Sequence, residues 1–210
     1  MKRLIYLTAL ISVFQSVSHA QSNVQVDVNA GLSLIDNSNR VSSFWDSGWR
    51  IGGGLIFVVS RNVQLSAEVN YSHFGYSGNG PSLAEPRVIG FRREITGEAS
   101  TVYQASVGTR LSMSHYSARP FLAIRGGIQS TQVGEIRATE WNDQNPPGTL
   151  TTYVYQPSEK SSANPFASIG FGVAFLINSS VSLSVEGALS QTFDGGQLMY
   201  PLFTTMQFSL

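Results

Sequence analysis

The sequence predicts an all-β protein, an eight-stranded antiparallel up-and-down transmembrane β-barrel, on three observations. Eight segments alternate apolar and other residues with a period of two, which is the pattern of a strand with one apolar face. Charged residues make up 12% of the chain, about half of the roughly 25% found in soluble domains. Short turns and long loops alternate between the segments, so in an antiparallel sheet of consecutive strands the short turns fall at one end and the long loops at the other.

The amino terminus, residues 1–20, is a predicted signal peptide. Lys2 and Arg3 precede an apolar run that is too short to span a bilayer as a helix, and small residues follow at the positions that a signal peptidase reads. An uncleaved membrane anchor is the alternative. Residues 21–210 then form one predicted barrel domain without any Cys, which excludes disulfides and thiolate metal sites.

Residues 23–34, NVQVDVNAGLSL, form the first predicted strand. Val24, Val26 and Val28 share one face of this strand, and Asp27 lies on the other. Seven further segments repeat the period and complete the eight strands. They span residues 49–60, 63–73, 99–113, 120–129, 166–177, 181–189 and 202–210.

The second strand departs from the pattern, because Ile56 and Val58 fall on its otherwise polar face. We expect these two side chains to point inward near the turn end of the barrel. A β-bulge around Gly52, Gly53 and Gly54, which would change the register, is the alternative.

The connections are short at one end of the sheet and long at the other. Residues 60–62, 114–119 and 178–180 are predicted tight turns. In one long loop, residues 149–156 (TLTTYVYQ) alternate again and predict a β-hairpin beyond the membrane. The predicted long loops are residues 35–48, 74–98, 131–163 and 191–199.

The apolar face could contact lipid outside the barrel or a ligand inside a soluble lipocalin-like barrel. Strands of about eleven residues, tilted by roughly 45°, would cross about 25 Å, the height of a membrane's apolar band. The opposite face carries Ser, Gly, Gln and Thr with few charges, and small side chains fit the narrow interior of an eight-stranded barrel. The sequence therefore favours an apolar face in contact with lipid.

Aromatic residues on the apolar face fall near the strand ends, where the rings of a membrane protein lie between headgroups and hydrocarbon. The predicted aromatic girdle comprises Trp49, Tyr71 and Tyr103 toward the long loops, and Phe57, Phe175 and Phe208 toward the short turns.

A few charged residues fall on the inward face, and buried charges are costly unless they are paired. They predict an ion network that fills the lumen, and a gate or selectivity ring for a pore is the alternative. The predicted network comprises Asp27, Glu68, Arg110, Arg125 and Glu186, with Arg50 nearer the long loops.

These features together resemble the bacterial outer-membrane β-barrel family, in particular its small OmpA/OmpX-like members. The last residues, MQFSL, place Phe208 and Leu210 on the apolar face of the final strand, similar to the family's carboxy-terminal assembly signal. The resemblance implies a monomer in the bacterial outer membrane, with periplasmic termini and no periplasmic domain. The partners that it implies are outer-membrane lipid, lipopolysaccharide and the barrel-assembly machinery.

Catalytic and metal sites have little support in the sequence. His115 and Ser117 have the spacing of the His/Ser pair in outer-membrane lipid A deacylases, but they fall in a predicted turn without a carboxylate to orient the base. The other His of the mature chain, His73, falls near the outward face. No cofactor or metal site is expected, since the loop acids Asp36, Asp46, Glu140 and Asp143 are scattered.

The predicted function is therefore a non-enzymatic structural, envelope or surface-interaction role through the extracellular loops. Arg87, Arg92 and Arg93 beside Phe91 could meet the phosphates of lipopolysaccharide or a host ligand. Without Lys2, Arg3 and the rest of the signal peptide the formal charge is about −2, and nothing indicates nucleic acid. The alternatives are a narrow porin-like channel for small solutes and a lipid A-modifying enzyme.

Overall fold

A computed structural model describes residues 24–36, 45, 47–76, 91–113, 118–142, 150–155, 161–193 and 197–209. These residues form a closed barrel of eight antiparallel strands and a separate three-stranded sheet. Within these ranges, no helix is long and apolar enough to cross a membrane. The predicted signal peptide, residues 1–20, lies outside the described residues.

Each barrel strand pairs with the next barrel strand along the chain, and the first pairs with the last to close the barrel. The predicted fold class is confirmed. The barrel strands are β1 Val24–Ile35, β2 Ser47–Val58, β3 Val63–Phe74, β5 Ser100–Ser112, β6 Ala118–Gln132, β9 Ser161–Leu176, β10 Val181–Thr192 and β11 Leu198–Ser209. The separate sheet contains β4 Phe91–Gly97, β7 Ile136–Asn142 and β8 Leu150–Tyr155.

The strands are strongly tilted, as their register shows. Paired residues can be followed once round the barrel from Val26 on β1 to Leu198 on β11. The Leu198 carbonyl oxygen accepts a hydrogen bond from the Asp36 amide at 2.9 Å. Asp36 lies about ten residues beyond Val26 on β1, a shear that tilts eight strands by roughly 45°.

The second strand has no bulge. Its pairing with β1 and β3 runs without interruption through Gly52, Gly53 and Gly54. Ile56 points inward with 1% of its surface exposed, as predicted, and Val58 is half-buried. The bulge alternative is wrong.

The apolar face points away from the barrel axis. Large apolar side chains are exposed around the whole outer wall; Val69 on β3, Val107 on β5 and Phe171 on β9 are exposed by 64%, 67% and 65%. Their inward neighbours along each strand are mainly Ser, Asn, Gln and charged residues. The lipocalin-like alternative, with this face turned inward, is wrong.

The long loops contain more regular structure than the sequence predicts. The predicted loop 131–163 contains the antiparallel strands β7 and β8, so 150–155 is one arm of a hairpin. β4, from the predicted loop 74–98, pairs with the other edge of β7. β6 and β9 also extend toward the loop end beyond their predicted strands, 120–129 and 166–177. Their backbone pairing continues past the apolar segment to the pair Gln132 and Ser161.

Apolar side chains pack together at the loop end of the barrel. We call the cluster of Ile35, Trp45, Phe74, Val102, Ile136 and Met199 the loop-end cap. Ile136 on β7 joins inward residues of four barrel strands there, so the separate sheet packs against the barrel. The indole nitrogen of Trp45 donates a hydrogen bond to the Glu98 carbonyl oxygen at 3.2 Å.

Candidate functional site

Arg125 reaches across the interior of the barrel. Its Nε donates to Oε1 of Glu68 on β3 at 3.0 Å, and its Nη2 donates to Oε2 of Glu186 on β10 at 2.8 Å. Its Nη1 also contacts Oε1 of Glu186. Neither β3 nor β10 is adjacent to β6, so this side chain links distant walls through the lumen.

Glu186 receives a second cation, because Nη2 of Arg110 lies 3.5 Å from its Oε2. The Arg110 guanidinium lies over the Phe121 ring, 4.1 Å from the centroid. A buried ring face that contacts a guanidinium adds a cation–π attraction where few waters compete. This role of Phe121 was not predicted. Its signal in the sequence is an aromatic residue at an inward position of β6, the strand that pairs with the one carrying Arg110.

Asp27 is buried in the lumen without the ion pair to a described residue that the predicted network would give it. It is 3% exposed, but it forms no ion pair with any described residue, and its Oδ1 has no hydrogen-bond partner there. Nη1 of Arg110 also has no partner among the described residues. The close ionic contacts therefore join Arg110, Arg125, Glu68 and Glu186 and leave Asp27 outside them.

Arg50 contacts a layer of neutral amide side chains nearer the loop end. Its Nε donates to Oδ1 of Asn70 at 3.3 Å, and its Nη1 donates to Oε1 of Gln104 at 3.2 Å. Gln104 continues the layer by donating to Oε1 of Gln129 at 2.8 Å. Phe203 lies between the layers, with its ring centroid 4.9 Å from the Arg50 guanidinium and 5.8 Å from that of Arg125.

Glycines on neighbouring strands make room for these large side chains. A Cβ atom on Gly170 would collide with Oε1 of Glu186, and one on Gly108 would collide with the Arg125 side chain and the backbone beside it. Even a methyl group at either position would force its neighbours to shift. The Gly-rich inward faces are therefore part of how the lumen is filled.

Two kinds of side chain lie at different heights in the lumen. Hydrogen-bonded charged and amide side chains fill its middle, where a buried charge is stable only with partners. Apolar side chains of the loop-end cap fill the end toward the separate sheet. Within the described residues, no group of three His, Cys, Asp or Glu side chains could hold a metal ion.

The outer wall carries an aromatic row at the loop end. Tyr71 on β3 lies between Trp49 and Tyr103, with ring centroids 5.3 and 5.2 Å away. The His73 ring stacks on Trp49 at 5.6 Å, and its Nδ1 lies 3.5 Å from the Tyr71 hydroxyl. Phe57, Phe175 and Phe208 occupy the turn ends of β2, β9 and β11, and Phe175 and Phe208 are 45% and 39% exposed.

Tyr200 also lies on the outer wall, although it was not predicted as part of the aromatic girdle. It is 43% exposed near the loop end of β11. The sequence offered a signal, because Tyr200 lies two residues before Leu202 and therefore shares its outward face.

Several predicted site residues lie outside the described part of the chain. They include His115 and Ser117, the loop acids Asp46 and Asp143, the basic residue Arg87, and Leu210. The backbone of Arg92 and Arg93 lies in β4, but their side chains are outside the described set, as is that of Glu140. The lipid A deacylase pair therefore stays a hypothesis.

Comparison with known proteins finds no matching family model and no matching curated protein. Among solved structures, Neisserial surface protein A has a TM-score of 0.54 at 11% identity, over 90% of this chain and 98% of that one. A major outer membrane protein from Thermus thermophilus gives 0.47 at 12% identity, over 88% and 98%. Ail, the attachment invasion locus protein of Yersinia pestis, gives 0.46 at 10%, over 90% and 100%.

Of these three similarities, the one to Neisserial surface protein A has a TM-score above 0.5, and at 11% identity it shows a shared fold alone. The exposed apolar side chains suit contact with the hydrocarbon of a lipid bilayer. The closed sheet suits the same environment, because it pairs the backbone groups that hydrocarbon cannot hydrogen-bond. Both observations agree with the predicted location in the bacterial outer membrane. The chain has the fold of the small eight-stranded bacterial outer-membrane β-barrel proteins.

Proposed function

We propose that this protein is a closed outer-membrane barrel that presents its three-stranded sheet at the cell surface, in an envelope-stabilising or surface-interaction role. The filled lumen carries the proposal. Arg125 links β3, β6 and β10 across the middle, and the loop-end cap blocks the mouth. An eight-stranded barrel has room only for side chains, so little space is left for a solute.

Conductance separates this role from that of a narrow pore. Purified barrel is reconstituted in a planar lipid bilayer, and folding of the same sample is first checked by its heat-modifiable gel shift. We expect no large, stable channels from the intact protein. Frequent, long-lived openings of a size that passes small solutes would establish the porin-like alternative.

Surface presentation can be tested with inserted epitopes. One epitope is placed between β7 and β8, and a second is placed in the short turn at 178–180. In that turn the Asn178 side chain accepts hydrogen bonds from the amides of Ser180 and Val181 at 2.8 and 2.9 Å. Antibody should label the first epitope on intact cells and the second after permeabilisation alone. The reverse pattern would overturn the proposed orientation.

Binding to lipopolysaccharide or a host molecule would use the surface of this loop-end sheet. Ile95, Ile136 and Ala138 are at least partly buried on the sheet, whereas Glu94 and Arg137 are exposed. Such an amphipathic sheet holds its polar face in a fixed orientation because its apolar face packs beneath it. The binding assay compares cells that express the intact protein with cells that express a variant lacking β7 and β8.

A non-enzymatic role is part of the proposal. The described residues of the lumen form ion pairs and hydrogen bonds that span strands, as expected for packing. Release of labelled acyl chains from lipid A, with loss of the activity on Ser117→Ala, would replace this proposal with the lipid A-modifying one.

A further inference from the structure

An open groove crosses the strands β2, β3, β5 and β6 on the outer wall. Its volume is about 450 Å³, within the roughly 300–1,000 Å³ of small-molecule sites. Small residues, among them Gly53, Ala105 and Gly126, form its floor, and Val69 and Val107 rise beside them. Because the exposed apolar side chains surround it, the groove is continuous with the surface that faces lipid.

The floor of the groove is open rather than tightly packed. A Cβ atom on Gly126 would meet a single neighbour, the Phe166 carbonyl oxygen at 3.8 Å. The lumen glycine Gly170, in contrast, has no room for a side chain because of Glu186. Packing within the protein therefore explains Gly170 and does not explain Gly126, whose missing side chain gives the groove its depth.

The aromatic row of Trp49, Tyr71 and Tyr103 lies at the loop side of this groove, on three of the same strands. Tyr71 follows Val69 on the outer face of β3, and Tyr103 precedes Ala105 on that of β5. The Tyr71 hydroxyl and the His73 ring nitrogens offer polar groups beside the rings. Rings with polar tips favour the headgroup boundary, so the groove lies on the hydrocarbon side of that boundary, next to the aromatic row.

We propose that the groove binds one acyl chain of a lipid in the loop-side leaflet, with the lipid's polar head beside Tyr71 and His73. The apolar walls match a hydrocarbon chain, and the polar tips match the ester and headgroup atoms at its end. A second copy of this chain fits less well, since two convex barrel walls meet along a narrow line. The inference rests on the proposed membrane location of the barrel.

The test fills the groove without disturbing the lumen. Gly126→Leu places a side chain on the groove floor, where the structure has space. Gly187→Leu is the matched control, because a Cβ atom there meets only the Leu202 side chain at 3.9 Å and Gly187 lies on β10, outside the groove. Both variants and the original protein are checked by heat-modifiable gel shift and by insertion into phospholipid vesicles.

Lipid binding is then measured by native mass spectrometry of each protein in detergent, titrated with a phospholipid or with lipopolysaccharide. We expect one tightly held lipid on the original protein and on Gly187→Leu, and at least about tenfold weaker binding on Gly126→Leu. Equal binding by all three folded, inserted proteins overturns the site. A dimer that Gly126→Leu abolishes replaces the lipid with a second copy. Failure to insert into vesicles instead contradicts the proposed function.

Discussion

Arg125 and Glu186 form hydrogen bonds through both guanidinium Nη atoms, although 61 residues separate them and β9 lies between their strands. The pair therefore crosses part of the lumen rather than joining two neighbouring positions of the sheet. Glu186 is fully buried, and a buried carboxylate that loses its cation cannot recover that attraction from water. The consequences of this packing can be measured.

Replacing Arg125 with Met should lower the free energy of unfolding by about 3–5 kcal/mol, because Glu68 and Glu186 lose a shared partner. Denaturant unfolding in lipid vesicles measures the change. The matched control is Arg137→Met, which removes an exposed pair with Glu135 and should leave the unfolding midpoint unchanged. An equal midpoint shift in both variants would contradict the structural importance of the lumen pair.

Gly170→Ala should lower stability by about 1–3 kcal/mol, since the added methyl group displaces the Glu186 carboxylate from its arginines. Gly187→Ala on β10 is the control, because its Cβ meets one side-chain atom at ordinary contact distance. The same denaturant titration compares them. If both alanines are tolerated equally, the lumen has more free space than the structure shows.

Phe121→Leu should cost about 2 kcal/mol, because the Arg110 guanidinium loses the ring 4.1 Å from it in a desolvated site. The lipid-facing Phe171, 65% exposed on the outer wall, provides the matched Phe171→Leu control with almost no expected change. A double-mutant cycle with Arg110→Met isolates the contact. Additive effects in that cycle would show that Phe121 acts through volume alone.

Trp45→Ala should loosen the loop-end cap while the barrel stays folded. Trp45 is 3% exposed, so its removal leaves a cavity under the separate sheet. Limited proteolysis should cleave the loops faster, with an unchanged heat-modifiable band. The control is Trp49→Ala, since Trp49 is 49% exposed on the outer wall. Unchanged cleavage of Trp45→Ala would mean that the cap does not hold the loops.

Phe208→Ala should reduce the fraction of protein that is assembled in the membrane of growing cells, because Phe208 belongs to the proposed assembly signal on β11. Phe175→Ala is the control, an exposed aromatic residue at the turn end of β9. The heat-modifiable fraction in membrane extracts is the measurement. A similar loss for both variants would indicate a general need for aromatic residues at this boundary.

The sequence predicted the barrel strands well because strand parity is a local property. Each apolar residue at i, i+2 and i+4 must share a face whatever the rest of the chain does, and Val107 and Phe171 do lie outside. Local alternation was less informative in the long loops, where β4 is short and its partner β7 lies about 40 residues further along the chain. The cap of Trp45 and Ile136 depends on that distant pairing.

The alternation of side chains between the two faces also predicted that six charged residues point inward. All six are buried, each with at most 6% of its surface exposed. The alternation did not predict which partners these charged side chains would contact. Arg50 lies against the amides of Asn70 and Gln104, and Asp27 lies outside the close ionic contacts. Height in the lumen depends on the shear of the barrel, which no single strand specifies.

By itself, the sequence determined where the eight barrel strands lie in the chain and which side of the wall their side chains take, but not where every strand ends. It did so because backbone geometry imposes a two-residue period on any extended chain. Tertiary structure alone decided that Arg125 meets Glu68 and Glu186, that Phe121 covers Arg110, and that the separate sheet packs against the loop end of the barrel. Those contacts join strands far apart in the chain, so they exist only once closure and register have fixed the height of every strand.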